Sequence, residues 1–207
     1  MKKTVITLTL AAALALSGCG SAPSPAAQEV TPEVAAVTVK PDRENGERFE
    51  GSLSVLGMVE TIHYEHIVNE ALGLEMDYDY ENFTRTSDAA GERFVSVWDD
   101  PARPENYIEV RAEAQSAEQV TEAVIAELSE DYELTQSTRT LDYAGECLRI
   151  EASVIKGTNR MPDQLQAVYI IPAPNGCLVA TTHAFIVESE GFFKRCDDII
   201  RTISPLE

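Results

Sequence analysis

The side chains able to do chemistry concentrate in two short runs. Glu75, Asp77, Asp79 and Glu81 recur at alternate positions from Leu74 onward, and His63 and His66 lie shortly before them. Four carboxylates on one strand face are candidate oxygen ligands for a cation such as Ca²⁺, which takes roughly six to eight oxygens at about 2.3–2.6 Å. The spacing opposes this, because alternate strand residues stand about 6.6 Å apart. No D-x-D-x-D-G loop follows either, so a solvated strand face is expected. On a strand, the odd separation of His63 and His66 places them on opposite faces and defeats shared metal coordination. Both are expected to be ordinary surface or core histidines, and His183 a satisfied sheet residue. Nucleophiles fare no better. Ser52 follows Gly51 without the rest of a Gly-x-Ser-x-Gly elbow and is expected in a loop. Cys177 and His183 share one strand, about 20 Å apart. Cys196 falls on the apolar stripe of a helix, where cysteine acts as a small hydrophobe. No phosphate loop or dinucleotide fingerprint occurs. No catalytic residue, metal ligand or cofactor is therefore assigned, and the Asn82-Phe83-Thr84 sequon is read as incidental.

Cys19 is different. Lys2 and Lys3 precede an uncharged, mostly apolar run from Val5 to Leu16, too short to span a bilayer as a helix of about 20 residues. Leu16-Ser17-Gly18-Cys19 follows. An ordinary secretory signal ends in a small-x-small site and has no need of a cysteine just after it. The segment resembles a bacterial lipoprotein signal with its lipobox. That resemblance implies residues 1–18 as signal peptide, cleavage before Cys19, a diacylglyceryl thioether on the Cys19 sulfur, and an extracytoplasmic, lipid-anchored location on the cell membrane. One acyl chain anchors only marginally, whereas two, at about 0.8 kcal/mol per buried methylene, hold a protein stably.

Residues 19–47 combine prolines, alanines and charges, with one short apolar patch at Val34–Val39. They read as a disordered tether with a root-mean-square span of roughly 25–30 Å. Residues 48–207 are one domain's worth of chain. The chain carries 35 acidic against 16 basic residues, a net charge of −19, and losing Lys2 and Lys3 with the signal makes it more acidic still. Nucleic acid and an anionic membrane face would both repel such a domain. A monomer is expected, with the bilayer as partner through Cys19 and an envelope protein or ligand still to be identified. With Cys19 lipidated, Cys147, Cys177 and Cys196 remain, room for one disulfide at most. Cys147 with Cys177 is the pair considered.

Several elements must position these groups. Strand-like runs cover Thr61–Val68, Leu74–Tyr80, Arg93–Trp98, Tyr107–Ala112, Tyr132–Arg139, Gly145–Ile155, Leu165–Pro172 and Gly176–Val187. Ala167–Ile171 is continuously apolar, as in a central strand covered on both faces. Asn175-Gly176 predicts a hairpin whose turn residues both tolerate positive φ. Ser116 with Gln119 has capping-box spacing ahead of a stripe of Ala117, Val120, Val124 and Leu128. A closing helix from Ser189 to about Ile203 buries Phe192, Cys196, Ile199 and Ile203, with Pro205 as its stop. The expected class is α+β: one antiparallel sheet of about six to eight strands flanked by two main helices.

Leu72-Gly73-Leu74-Glu75-Met76-Asp77-Tyr78, with Asn82-Phe83 after it and Ile199-Ile200-Arg201-Thr202-Ile203 near the end, resembles the opening and tail of PsbP-like domains over about residues 60–203. The resemblance implies an α/β/α sandwich and a role as accessory or assembly factor. The chain also resembles uncharacterised lipoproteins of gut Gram-positive bacteria. The expectation is a non-enzymatic accessory or ligand- or protein-binding module. The alternatives are an envelope hydrolase with dispersed catalytic residues, or a purely structural envelope protein. A partner surface would show as an exposed aromatic patch involving Trp98 and Tyr107.

Overall fold

The computed structural model describes residues 40–100, 102, 104–186 and 189–206. The expected signal, Cys19 with its expected lipid, and the expected tether as far as residue 39 lie outside the described residues.

In chain order the elements are β1 (Arg48–Val55), β2 (Met58–Asn69), β3 (Leu74–Asp79), β4 (Phe83–Ser87), β5 (Glu92–Ser96), β6 (Tyr107–Glu113), α1 (Ala117–Leu128), β7 (Tyr132–Thr140), β8 (Glu146–Ile155), β9 (Gln164–Ala173), β10 (Gly176–Phe185), α2 (Ser189–Ile200) and β11 (Ser204–Pro205). All strand pairings are antiparallel. The α+β class with two helices is therefore present. The expected single sheet is not: the strands divide into a four-stranded sheet, β1-β2-β3-β11, and a seven-stranded sheet, β4-β5-β6-β10-β9-β8-β7. The division falls after β3. There the Asp79 carboxylate accepts from the amides of Glu81 and Asn82, both at 3.3 Å, an Asx-type turn that sends β4 to pair with β5.

Two cores follow from this arrangement. The first lies between the inner face of the larger sheet (Phe94, Ile108, Tyr169, Leu178), β3 (Leu74, Met76, Tyr78) and α2 (Phe192, Cys196, Ile199). The second lies under α1, where Val120, Val124 and Leu128 meet Ile150, Val168, Ile170 and Val179 on the opposite face of the same sheet. Ala167–Ile171 is buried throughout because β9 separates the two cores. The Ser116 capping box forms: its hydroxyl accepts from the Gln119 amide at 3.3 Å, and Gln119 Oε1 accepts from the Ser116 amide at 3.2 Å.

Four local expectations are corrected. Gly51-Ser52 lies inside β1 and not in a loop; a Cβ on Gly51 would stand 2.6 Å from the Tyr64 ring, which crosses the strand there. The closing helix ends at Ile200, where Thr202 turns its hydroxyl onto the Ile199 carbonyl at 2.7 Å. Ser204 and Pro205 then pair with Glu75 and Leu74 as an edge strand, a place where proline's missing N–H is tolerated. The third concerns Cys147 and Cys177. Both are free, and they belong to different cores on opposite faces of one sheet, so no disulfide can join them.

The fourth is the β9–β10 hairpin. Gly176 pairs with Ala173, so the turn residues are Pro174 and Asn175. The pyrrolidine ring holds Pro174 near φ −65°, which excludes a primed turn. Positive φ falls instead on Gly176, at 133°, where a Cβ would meet the Glu113 carbonyl oxygen at 2.0 Å. Gly176→Ala is expected to destabilise the domain by about 2 kcal/mol or more, read as a lowered urea midpoint. An unchanged midpoint would show that β6 yields freely at Glu113.

Candidate functional site

The row of carboxylates on β3 is not solvated. All six residues of β3 are buried, including Glu75, Asp77 and Asp79. Alternation alone cannot distinguish a wet face from a buried one whose charges are paired. Here other segments supply the pairs. Glu75 meets Lys40, and Asp77 lies 3.4 Å from Arg43 Nη1. Asp79 accepts from Asn82 Nδ2 at 2.5 Å and lies 3.6 Å from Arg195 Nη1 of α2. The Thr202 hydroxyl accepts from the Asp77 amide at 2.9 Å. Glu81 leaves the row, because β3 has ended; it is exposed and sits 2.8 Å from His63 Nδ1, a contact that raises the basicity of His63.

The two histidines of β2 separate as their spacing requires. His63 is half-exposed, while His66 is only 5% exposed and stands directly opposite Asp77. His66 Nδ1 lies 2.7 Å from Asp77 Oδ1, the arrangement that orients a catalytic base in a Ser-His-Asp triad. Its Nε2 faces the Glu75 carboxylate at 3.6 Å, in the place where such a triad has its nucleophile. Among the described residues no group of three His, Cys, Asp or Glu side chains is arranged to hold a metal. With Lys40 and Arg43 drawn from the segment before β1, the row acts as a clamp. The guanidinium of Arg43 also lies 3.6 Å over the Phe49 ring. The Gly46 amide donates to the His66 carbonyl at 2.8 Å, and the His66 amide to the Glu47 carbonyl at 2.8 Å. Residues 40–47 are thereby fastened along β2 and β3.

A different surface is open to a ligand. α1 covers β7, β8, β9 and the first half of β10. Beyond it, on the same face of the larger sheet, the odd-numbered residues Arg93 and Val95 of β5, Tyr107, Glu109 and Arg111 of β6, and His183 of β10 remain half- or fully exposed, as do Thr84 and Thr86 of β4. A guanidinium and two rings form a stack across this floor. The Arg93 guanidinium lies 4.3 Å over the Tyr107 ring, and Tyr107 stacks on His183 with centroids 4.4 Å apart and planes at 20°. Burial first, and then the nearby Arg93 charge, lower the His183 pKa to about 4, so its imidazole is neutral at physiological pH. Arg93 is held by Glu109 at 3.5 Å and Arg111 by Glu113 at 2.8 Å.

Three shallow depressions of about 360, 370 and 130 Å³ run along this face. The smallest is walled by Val124 and Leu128 of α1, and the 360 Å³ depression by Val97, Asp99 and Pro104 beyond β5. Asp99 organises that far wall, accepting from the amides of Glu105 and Asn106 at 2.6 and 2.5 Å and from Asn106 Nδ2 at 2.9 Å. Trp98, between Val97 and Asp99 in sequence, is 72% exposed. Trp98 and Tyr107 were the aromatic candidates in the sequence. Arg93 and His183 had no such signal, since the stack needs β6 paired with β5 on one side and with β10, 76 positions from Tyr107 to His183, on the other.

No family model matches the chain, and no curated protein matches it. Among solved structures it is similar to a cyanobacterial PsbP (CyanoP) from Synechocystis sp. PCC 6803, at 9% identity and a TM-score of 0.46, over 69% of this chain and 92% of that one. It is also similar to a protein from Bacteroides thetaiotaomicron VPI-5482, at 14% identity and a TM-score of 0.44, over 69% of this chain and 48% of that one.

Proposed function

We propose that this chain is a lipid-tethered, extracytoplasmic, non-enzymatic binding module of PsbP-like build that holds a protein partner on the open face of its seven-stranded sheet. The observation that carries the reading is the uncovered floor of Arg93, Tyr107 and His183, with the exposed Trp98 next in sequence to Val97 and Asp99, which wall one depression on it. Tryptophan, tyrosine and arginine are the residue types that most often dominate binding energy at protein interfaces. A broad, shallow floor suits another protein's surface better than a small molecule, which favours a deep and mostly enclosed pocket. Leu16-Ser17-Gly18-Cys19 supports the anchor, and the clamp on residues 40–47 ties the domain to the chain that leads back to it.

Crosslinking in intact cells, followed by purification of the tagged protein, tests both halves. Cys19→Ala should move the protein from the membrane to the soluble fraction. Trp98→Ala, at a position that buries little within the domain, should leave the unfolding midpoint unchanged. It should weaken binding to the crosslinked partner by about 2 kcal/mol or more, roughly thirtyfold. Recovery of the same products at the same level with Trp98→Ala and Arg93→Ala would overturn the open face as the binding surface.

A further inference from the structure

The tip of the β1–β2 hairpin presents three apolar side chains to solvent: Leu56 is 64% exposed, Met58 62% and Val59 77%. The connection is a two-residue turn, with Val55 opposite Met58 and positive φ at both turn residues, 51° at Leu56 and 79° at Gly57. Asparagine, aspartate or glycine suits the first position of such a turn; leucine resists it. Leu56 is the non-glycine residue with positive φ among the described residues. It holds a large apolar side chain mostly in water at the cost of backbone strain. Strain of this kind, combined with exposed apolar surface, marks a contact made with something outside the domain.

Charge and shape narrow what that contact is. Ser52 to Val59 carry no charge in a chain with 35 acidic residues. Of the flanking acids, Glu60 is paired with Arg195. Glu60 follows Val59 directly but is met by that guanidinium. Glu50, the next acid on β1, is six residues from Leu56, about 20 Å of strand and beyond the Debye length of about 8 Å at physiological ionic strength. The net negative charge therefore does not keep the tip from a lipid surface. A two-residue tip is convex, made to enter a soft boundary and not to enclose a ligand. Reach allows it: Lys40 contacts Glu75, opposite Val68, and the ten residues from Val68 to Met58 span about 33 Å. Residues 20–39 have a contour of up to about 70 Å.

We infer that the Leu56–Val59 tip enters the headgroup–acyl boundary of the bilayer that holds the lipid on Cys19, as a second anchor that orients the domain; this rests on the lipid-anchored reading. The test uses the full lipidated protein in phosphatidylcholine vesicles, with Met58→Cys carrying an environment-sensitive dye. Cys147, Cys177 and Cys196 are buried, so labelling is confined to the tip. The expected result is flotation with the vesicles, a blue-shifted emission and about twofold or greater quenching by acyl-chain-brominated lipid. Adding Leu56→Asn should raise the unfolding midpoint, by relieving the turn, while reducing the quenching; a purely structural tip would give the first effect without the second. Flotation with a fully hydrated, unquenched dye overturns the tip insertion and leaves the lipid anchor standing. Absence of flotation overturns both. A blue shift that appears without vesicles and grows with protein concentration overturns it in favour of a second copy of the chain.

Discussion

Replacing Asp77 with alanine is expected to remove about 3–5 kcal/mol of folding stability, because breaking one side of a buried ion pair leaves the other charge without its counterpart. Asp77 lies at the centre of the clamp, with Arg43 3.4 Å from one oxygen and His66 Nδ1 2.7 Å from the other. Among the described residues, its loss leaves Arg43 with only the Phe49 ring and His66 facing Glu75. The same change should loosen residues 40–47, which are fastened by side chains more than by strand pairing. Two measurements check this: the urea midpoint, expected to fall, and trypsin cleavage after Arg43, expected to quicken well before global unfolding. Arg43→Ala should quench neither His66 nor Glu75 and should cost less, since Arg43 is partly exposed. Equal losses from the two variants would mean that Asp77 matters only as a partner of Arg43.

The second large effect concerns Glu92, whose side chain is fully inaccessible. It accepts from Arg85 Nε and Nη2, both at 2.8 Å, from Ser87 Oγ at 2.9 Å and from Asn69 Nδ2 at 2.6 Å. Arg85, Ser87 and Glu92 belong to the seven-stranded sheet and Asn69 to the four-stranded one, so this carboxylate ties the two sheets together. Burial pushes its pKa up, but the hydrogen bonds from Arg85, Asn69 and Ser87 prevail and hold it below the ordinary value of 4.5. With the folded pKa below the unfolded one, the unfolded chain binds the proton first as pH falls. The stabilisation is therefore complete above the ordinary carboxylate range and is lost as pH drops through the folded pKa. Glu92→Gln should cost about 2–4 kcal/mol at neutral pH, and its deficit against the parent should shrink as pH falls below 4.5. Chemical denaturation at neutral and acidic pH reads both; a deficit constant with pH would show that Glu92 is not held ionised by these partners.

What the sequence determined by itself is local. Period-two and period-3.6 patterning located most of the strands and both helices, because burial of one face is written into neighbouring residues. The capping box at Ser116 is legible for the same reason: both partners lie within one turn. Trp98 and Tyr107 were visible as aromatics near a strand end. The tertiary structure alone decided three things. It divided the strands between two sheets, since the turn at Asp79 sets which strand β4 meets. It set Arg93, Tyr107 and His183 in one stack, through the pairing of β6 with β5 on one side and with the distant β10 on the other, which no local pattern encodes. It also made the acidic face of β3 dry. Alternating apolar and acidic residues describe equally a strand washed by water and one whose charges are met from elsewhere, and the cations that meet them, Lys40, Arg43 and Arg195, come from segments that only the fold brings to β3.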